Sequence, residues 1–600
     1  MKYRVPKREF EFVLREVLEV EQLTQFPVFE EATWEMVQMI IDQVAEIAED
    51  LWFPSNQVGD QVGAKFKDGE VTLPPEFHDA IDAIRDTGLV TLFAHPEYGG
   101  MGFPTAFEVL GDEVMCATNM ALATMTGLTK GAYRCIHQYG SDELKSLYLP
   151  KMVSGEWFGT MCLTEAHCGT DLGLLRTKAK PDDEGSYRLD GEKIFITGGE
   201  HDLTENILHL TLARLPGAPQ GVKGISLFLV PKFIPNVDGT LGERNGIRAL
   251  SIEEKMGCKG SPTCVIALED ARGWLIGEEN RGLRAMFAMM NHERLAVGME
   301  GVGVAEIAYQ NGLAYALDRL QGRDLGGARY PEQEADPLIV HPDIRRMLLR
   351  AKSLIEGMRC LAVWTGISID RSLADPDEAI REENGELVEI LTPIVKALCT
   401  DLGCEIANDM LQIYGGHGYI REHGMEQFVR DLRIAPIWEG ANGIQALDLA
   451  GRKLPRDMGR LLRRFFHPAL EFVEQHRDDP DLKEFVEPFA KGLRGLQKTS
   501  MFLAQKGMGN PHEIGAGATD YLRQFGLVAL GYMWLQMLKV AFAKRGSDEF
   551  YEYKLITGRY FFERVFPETI ARAVAIASGA KTMMAMPDAG FAGDHRFSGN

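Results

Sequence analysis

The sequence predicts an α+β protein whose β structure is gathered in one middle block, and three observations predict it. Apolar residues recur at three- and four-residue spacing from about Val37 to Gly155. Between Phe158 and about Gly277, short β-rich runs separated by turn signals take over. After Asn280-Arg281-Gly282 the helical pattern resumes and carries on along the rest of the chain. The 600 residues thus divide into an N-terminal extension (1–36), a helical domain (37–157), a small β domain (158–277), a helical bundle (278–454) and an additional helical domain (455–600).

With 45% hydrophobic and 25% charged residues, the composition describes a soluble globular chain of several domains, large enough to bury a cofactor. A formal charge of −23 and a pI near 5.2 argue against nonspecific nucleic-acid binding, and a polyanionic ligand would need locally placed Arg or Lys. The nine cysteines, at 116, 135, 162, 168, 258, 264, 360, 399 and 404, include no Cys-x-x-Cys pair. That spacing argues against zinc or iron–sulfur sites and for reduced thiols. Met1–Leu23 mixes Lys7, Arg8, Glu9, Arg15 and Glu16 with apolar residues and reads as neither a signal nor a transit peptide, so a cytoplasmic location is expected.

In chain order, the extension predicts a helix over Glu9–Gln22. Ile40, Ile41, Val44, Ile47 and Ala48 mark an amphipathic helix, Ala80–Thr87 another. The glycine-rich loop Pro96–Gly102 leads into a longer helix over Thr105–Met120. Strands are expected at Phe158–Thr164, Ser186–Leu189, Lys193–Thr197, Ile207–Arg214, Ile225–Pro231 and Val265–Glu269, with Asp190-Gly191 and Pro216-Gly217 as turns. Asp324–Pro337 reads as a loop and Asp375–Glu386 as an exposed acidic stretch. Phe525–Ala543 approaches transmembrane length, but its two glycines and Lys539 favour a buried or partner-facing helix over a peripheral membrane contact. No repeat of 20–50 residues is present.

Chemistry concentrates in Gln412–Arg452. Two glycine clusters, Gly415-Gly416-x-Gly418 and Gly440-x-x-Gly443, bracket an Arg-punctuated apolar segment, and glycines let a backbone approach a flat ligand closely. Glu439 stands between Trp438 and Gly440. A carboxylate beside an indole is readily desolvated, which lifts its pKa toward the range of a general base. Alone, a glycine-rich helix junction with an ordinary glutamate would also account for the stretch. A second cluster, Met161–Asp171, ends a strand at Thr164 and opens into a small-residue loop, offering backbone groups and a hydroxyl to a heteroaromatic edge. A third, Gly191–Gly199, sets Phe195 in a strand, where hairpin core packing is the alternative reading.

Gln412-Ile413-Tyr414-Gly415-Gly416-His417-Gly418-Tyr419, followed by Arg430-Asp431 and Trp438-Glu439-Gly440, resembles the signature of the acyl-CoA dehydrogenase flavoproteins. The second cluster resembles the family's Thr-Glu-Pro-x-x-Gly-Ser-Asp motif, with Ala166 for Pro and Thr170 for Ser. The third resembles Gly-x-Lys-x-Trp-Ile-Thr-Asn, with Phe195 for Trp, and the Pro96–Gly102 loop has a family counterpart too. The resemblance implies FAD as cofactor and a small β-barrel between helical domains. It places Met161, Leu163, Thr164, Gly169 and Thr170 on the pyrimidine and pyrophosphate side of the flavin, with Phe195, Ile196 and Thr197 at its ring. Arg319, Gln321, Gln412, Gly415 and Gly416 would serve the pyrophosphate and adenosine of a neighbouring subunit's flavin. A guanidinium fits a diphosphate well. Thr170, Arg294, Trp438 and Gly440 would face acyl-CoA. No metal is implied.

Under this resemblance Glu439 removes the α-proton of a saturated acyl-CoA and the β-hydrogen leaves as hydride to flavin N5, giving a trans-2-enoyl-CoA, as in fatty acid β-oxidation. Small or flexible residues over Ala121–Leu128 suggest medium or longer acyl chains. The added C-terminal domain resembles a long branch that includes broad-range fatty acyl-CoA and 3-methylthiopropanoyl-CoA dehydrogenases, which implies a homodimer. Electron-transfer flavoprotein is the expected acceptor. An oxygen-using oxidase and a non-catalytic scaffold are the competing readings. No Gly-x-Gly-x-x-Gly turn follows an early strand, and neither a P-loop nor a hydrolase elbow is present.

Overall fold

A computed structural model describes residues 1–182 and 185–592. Its frame is a bundle of three long helices, Gly282–Asp318, Pro342–Ala374 and Glu378–Ile413, against which the Thr105–Tyr139 helix packs. The first and third touch almost backbone to backbone. A Cβ on Gly301 would lie 2.3 Å from the Cys399 carbonyl oxygen, and one on Gly403 would lie 2.5 Å from that of Gly301. Only glycine permits that approach.

The Thr105–Tyr139 helix runs past the expected end at Met120 because it is two helices joined at a break. Asn119 leaves helical geometry (φ −156°, ψ 88°) and its Oδ1 accepts from the Leu122 N–H at 3.1 Å, an N-cap that starts the second segment at once. Its amide donates to Ser55 Oγ at 2.8 Å, which fixes the break to the Phe53–Val62 helix.

In the β domain the sheet order is Trp157–Cys162, Asn206–Ala213, Ser226–Pro231, Thr263–Ile276, Tyr187–Thr197, Lys178–Pro181, with Ile247–Ile252 also pairing Thr263–Ile276. The first pair is parallel and the others antiparallel. The ends of this order come together. Ile194 N donates to Thr164 O at 2.9 Å, and Ala179 and Arg214 N–H groups bond across to Arg214 and Thr177 carbonyls. Asp190-Gly191 is not a turn. One strand runs from Tyr187 to Thr197, and Gly191 is there because a Cβ would meet the Thr177 side chain at 2.6 Å. The Lys178–Pro181 and Ile247–Ile252 strands carry too little alternation to be read from sequence.

The N-terminal segment is packed, not a loose charged extension. Its helix begins at Lys7 and stops before Glu19, which takes a left-handed φ of +47°. Phe10, Phe12, Val13 and Leu14 are buried, Phe12 lies edge-on to Phe550, and Glu9 and Glu356 both meet Lys554. The extension thereby clasps the C-terminal helices. The Pro511–Ala543 helix is buried over 78% of its most apolar window, as the favoured reading of Phe525–Ala543 expects. The loop through Asp324–Pro337 closes on buried Asp336, which accepts N–H bonds from Asp324, Arg329 and Tyr330. The acidic stretch at 375–386 is partly neutralised: Glu382, Glu383 and Glu386 pair with Arg460 and Arg464. All nine cysteines are free thiols.

Three segments distant in sequence meet at Arg430-Asp431. Arg430 makes a two-pronged contact with Asp60, 2.7 Å on each arm, and donates to the Met256 carbonyl at 2.9 Å. Asp431 accepts from the Cys258 N–H at 2.6 Å. The joint thus binds the first helical domain and the β domain to the short Met425–Leu432 helix that leads into the Trp438-Glu439 loop. Asp60→Ala removes the carboxylate that ties Arg430 to the first helical domain and leaves the guanidinium only the Glu426 carboxylate of its own helix, at an expected cost of about 1 kcal/mol. Thermal unfolding checks this, and an unchanged midpoint would show that the joint carries no strength.

Candidate active site

The loop between Leu432 and Asn442 is pinned from below by the Glu378–Ile413 helix. Lys396 Nζ donates to Ala435 O at 2.9 Å and to Asn442 Oδ1 at 2.8 Å. The Asn442 amide in turn donates to Asp401 Oδ1 (2.7 Å) and Thr400 Oγ1 (3.0 Å). From the other side Gln445 Nε2 donates to the carbonyls of Glu439 (3.3 Å) and Gly440 (3.1 Å), and Arg294 Nε reaches Glu439 O at 3.4 Å. Trp438 is held through its indole N–H, which donates to Glu300 Oε2 at 3.1 Å.

These contacts hold Glu439 at φ +53°, a left-handed conformation that costs a side-chain-bearing residue about 1–2 kcal/mol. Gly440 follows at φ +88°, where a Cβ would meet Gln445 Nε2 at 2.5 Å. The turn aims the glutamate inward. Its Oε2 is buried with no hydrogen-bond partner among the described residues. Burial pushes the carboxyl up to about 7, against the opposing pull of Arg294 and Lys396. Burial likewise brings Lys396 down to about 8.

Glu439 and Trp438 line a cavity of about 510 Å³, mouth included. Its other walls come from the Thr105–Tyr139 helix (Met115, Thr124, Thr126 and neighbours), from Glu293 and Glu300 of the Gly282–Asp318 helix, and from Thr197 of the β domain. Of the Ala121–Leu128 floor expected from sequence, Ala123, Thr124, Thr126, Gly127 and Leu128 take part. Three domains therefore converge on the one carboxylate.

Beside Thr197 the β domain presents an unusual surface. Residues 193–196 of the Tyr187–Thr197 strand oppose only 264–266 of its neighbour, a bulge that throws Phe195 out at φ +58° with 60% of its surface exposed. Hairpin core packing for Phe195 is thereby ruled out. Ile196 instead turns into the barrel core, as Leu163 turns into the core beneath, so these two offer only backbone to a cofactor. Met161 and Thr164 are half-buried, and Gly169 and Thr170 lie exposed in the following loop. Glu165 shapes that loop: it accepts from Lys193 Nζ (3.0 Å), from the Thr177 hydroxyl (2.6 Å) and from the Thr177 and Arg176 N–H groups. Glu165 lies close enough to His167 and Cys168 for a metal, but its Oε1 already accepts three of these bonds and its Oε2 the fourth. An exposed aromatic, strand-edge backbone, a hydroxyl loop and Thr197 at the cavity wall fit the planar ring of a flavin.

Arg319, Gln321, Gln412, Gly415 and Gly416 form a separate, exposed group. Tyr315 and Tyr414 tie its two halves together by stacking at 4.1 Å, and the Tyr315 hydroxyl meets His417 Nδ1 at 2.9 Å. Sequence reasoning missed Glu293, Glu300, Lys396, Asn442 and Gln445. For three of them a signal existed: Glu300 interrupts the apolar run Leu295–Ala305, Lys396 that of Ile390–Cys399, and Glu293 adjoins Arg294.

The chain matches, in order, the descriptions "Acyl-CoA dehydrogenase, N-terminal domain" (35–156), "middle domain" (160–271) and "C-terminal domain" (280–454), then "Acetyl-CoA dehydrogenase C-terminal like" (465–587). It is 39% identical over 595 residues to the 3-methylmercaptopropionyl-CoA dehydrogenase of Ruegeria pomeroyi, spanning 97% of this chain and 99% of that one. It is 31% identical over 610 residues to the broad-specificity linear acyl-CoA dehydrogenase FadE5 of Mycobacterium tuberculosis, covering 98% and 100%. Among solved structures, an acyl-CoA dehydrogenase complexed with FAD from Bacillus anthracis superposes with a TM-score of 0.76 at 22% identity, covering 96% and 94%. Caenorhabditis elegans ACDH-11 in complex with C11-CoA also reaches 0.76, at 17% identity over 94% and 91%. This chain belongs to the acyl-CoA dehydrogenase family.

Proposed function

We propose that the protein is an FAD-dependent dehydrogenase that converts a saturated acyl-CoA to its trans-2-enoyl-CoA, with Glu439 as the base. The observation that carries this is the buried, unpartnered Glu439 Oε2 in a cavity shared with Thr197 of the flavin-fitting β surface. FAD, when bound, supplies the two-electron acceptor for the hydrogen leaving the β-carbon. Phe195, Thr197, Thr164 and the Gly169-Thr170 loop would hold it, as the family resemblance assigns them. Glu439 takes the α-proton at Oε2. The left-handed turn fixes that oxygen in place, and Trp438, anchored by Glu300, keeps water from solvating it. A carboxyl lifted toward neutrality is matched to that task. Arg294 and Lys396 keep it from rising further.

For the substrate, the relative at 39% identity and the acids on the cavity wall support a short chain with a heteroatom, 3-methylthiopropanoyl-CoA. A medium or longer fatty acyl chain is the second reading, and one observation favours it. An apolar cavity between the 34–47 helix and the Thr105–Tyr139 helix shares Met115 and Thr126 with the active-site cavity. The proposal further takes electron-transfer flavoprotein as acceptor and a homodimer as the assembly. The exposed Arg319–Gly416 group, set apart from the cavity, supports the dimer.

Glu439→Gln is expected to bind acyl-CoA yet leave the flavin oxidised when substrate is added without oxygen, a loss of at least ~10³-fold in reduction rate. Rapid bleaching in that variant would remove Glu439 from the role.

The wild-type kcat/KM should rise with pH through about 7, because the free enzyme's base must be ionised to act. Stability should run the other way. A carboxyl raised in the fold favours the folded state below its ordinary range, and that advantage is lost as pH climbs through about 7. Glu439→Gln should therefore melt higher than wild type at pH 8, with the gap closing toward pH 5. A pH-independent gap would contradict the burial.

Anaerobic titration with 3-methylthiopropanoyl-CoA and with acyl-CoAs of increasing length names the substrate. Bleaching by the thioether chain in preference to octanoyl and longer chains is expected, and the reverse order would establish the fatty acyl reading. Turnover that consumes oxygen without electron-transfer flavoprotein would make the enzyme an oxidase.

A further inference from the structure

Two glutamates lining the active-site cavity each carry an oxygen that is buried without a partner among the described residues: Oε2 of Glu439 and Oε1 of Glu293. Thr197 belongs to the flavin-fitting surface described above, and the other carboxylates and hydroxyls of that wall have partners. Glu300 accepts from Trp438, Asp112 pairs with Lys130 at 2.5 Å, and the Thr124 and Thr126 hydroxyls donate to carbonyls one turn back. Glu439 has a function in proton transfer. Glu293, 5% exposed, has none yet.

The chain makes room for this carboxyl at a cost. Gly127 and Gly131 sit one turn apart inside the Thr105–Tyr139 helix, where glycine is unfavourable relative to alanine. A Cβ on Gly131 would lie 2.5 Å from Glu293 Oε1, and one on Gly127 would lie 3.6 Å from Oε2. The two glycines form a slot that the carboxyl fills. Nor is Glu293 half of an ion pair. Nearby Lys130 is engaged by Asp112 and Glu108, and Arg134 by Glu108 at 2.6 Å. Burial and the adjacent Glu439 push the Glu293 carboxyl well above the ordinary range, against Lys130 and Arg134, which favours the protonated form that can donate a hydrogen bond.

We propose that Glu293 is the specificity-determining residue of this site, donating a hydrogen bond to an acceptor atom, a thioether sulfur or an ether or carbonyl oxygen, carried by the acyl chain beyond its reacting carbons. The inference rests on the dehydrogenase reading above. A hydrocarbon chain in the same place would leave the acid buried and unpaired, whereas an acceptor satisfies it. The difference is one net hydrogen bond, about fivefold in affinity.

The test compares 3-methylthiopropanoyl-CoA with pentanoyl-CoA, which has the same shape with a methylene in place of sulfur, and adds 3-methoxypropanoyl-CoA. Flavin reduction is followed in wild type, Glu293→Leu and Glu293→Gln. Dissociation constants are measured by calorimetry with the same Glu293 substitutions made in a Glu439→Gln background. Binding without turnover separates recognition from any electronic effect of the heteroatom on hydrogen loss. Wild type should prefer both heteroatom chains about fivefold, in affinity as well as in kcat/KM. Glu293→Leu should bring the ratio to one or below, and Glu293→Gln, which keeps a donor, should retain it. A ratio unchanged in Glu293→Leu, with both chains still reducing the flavin, would overturn the assignment. Equal loss of reduction with every chain in Glu293→Leu would also overturn it, by placing Glu293 in proton transfer. Failure of all these chains, and of longer ones, to reduce wild-type flavin would instead overturn the dehydrogenase reading, and the selector with it.

Discussion

The structure depends on keeping one carboxylate dry and unpaired. An isolated buried charge is among the most expensive things a fold can contain, and the usual escape is a shifted pKa. Glu439 takes that escape only as far as neutrality because Arg294 and Lys396 oppose it. Neither cation bonds to the carboxyl oxygen. Lys396 spends its donors on the Ala435 carbonyl and Asn442, and Arg294 reaches the Glu439 backbone carbonyl. They act on the glutamate's charge through space while their hydrogen bonds hold its loop. Positioning and pKa tuning are thus carried by the same two side chains.

That arrangement requires the surrounding elements to be close and immobile. Glycine contacts bring the Gly282–Asp318 and Glu378–Ile413 helices together, so Arg294 from one and Lys396 from the other can grip a single loop. Arg430-Asp431 fixes the start of the loop to Asp60 and to Met256–Cys258. Thr197 is then delivered to the cavity wall, with Phe195 exposed beside it, by a domain that does not belong to the bundle. The N-terminal segment closes the far side by engaging Lys554, which is why it is folded despite its charged composition.

Much of this was legible in the sequence, and the pattern of what was not is physical. Glu439 could be singled out because its immediate neighbours, Trp438 and Gly440, already state its environment. The β block was legible from texture, but Gly191 was misread as a turn, since a glycine needed for close packing and one needed for a reversal look alike in one dimension. Phe195 needed the bulge to be seen before its exposure made sense. Lys396 and Gln445 act on the Glu439 loop from 43 and 6 positions away through carbonyl oxygens, with Asn442 held against Lys396, and backbone acceptors leave no trace in residue identity. Glu293 adjoins Arg294, and a glutamate beside an arginine reads as half of a surface ion pair rather than as a buried acid.

The distribution of buried acids sharpens the reading of the site. Among the described residues, Glu113 and Glu306 share Arg359, Glu356 meets Lys352 and Lys554, and Glu108 meets Arg134 and Lys130. Asp370 caps the N–H groups of Thr105 and Ala106, and Asp431 that of Cys258. A chain with a formal charge of −23 has thus matched its interior carboxylates to cations or N–H donors almost everywhere. The two that line the active-site cavity with an orphaned oxygen depart from that pattern in the same place. A buried polar group left unsatisfied at a packed helix interface would be selected against as a plain cost, whereas one facing a ligand space is satisfied whenever the ligand arrives. On the proposed reading, Glu439 obtains its partner as a proton from the α-carbon, and Glu293 as a hydrogen-bond acceptor on the acyl chain beyond.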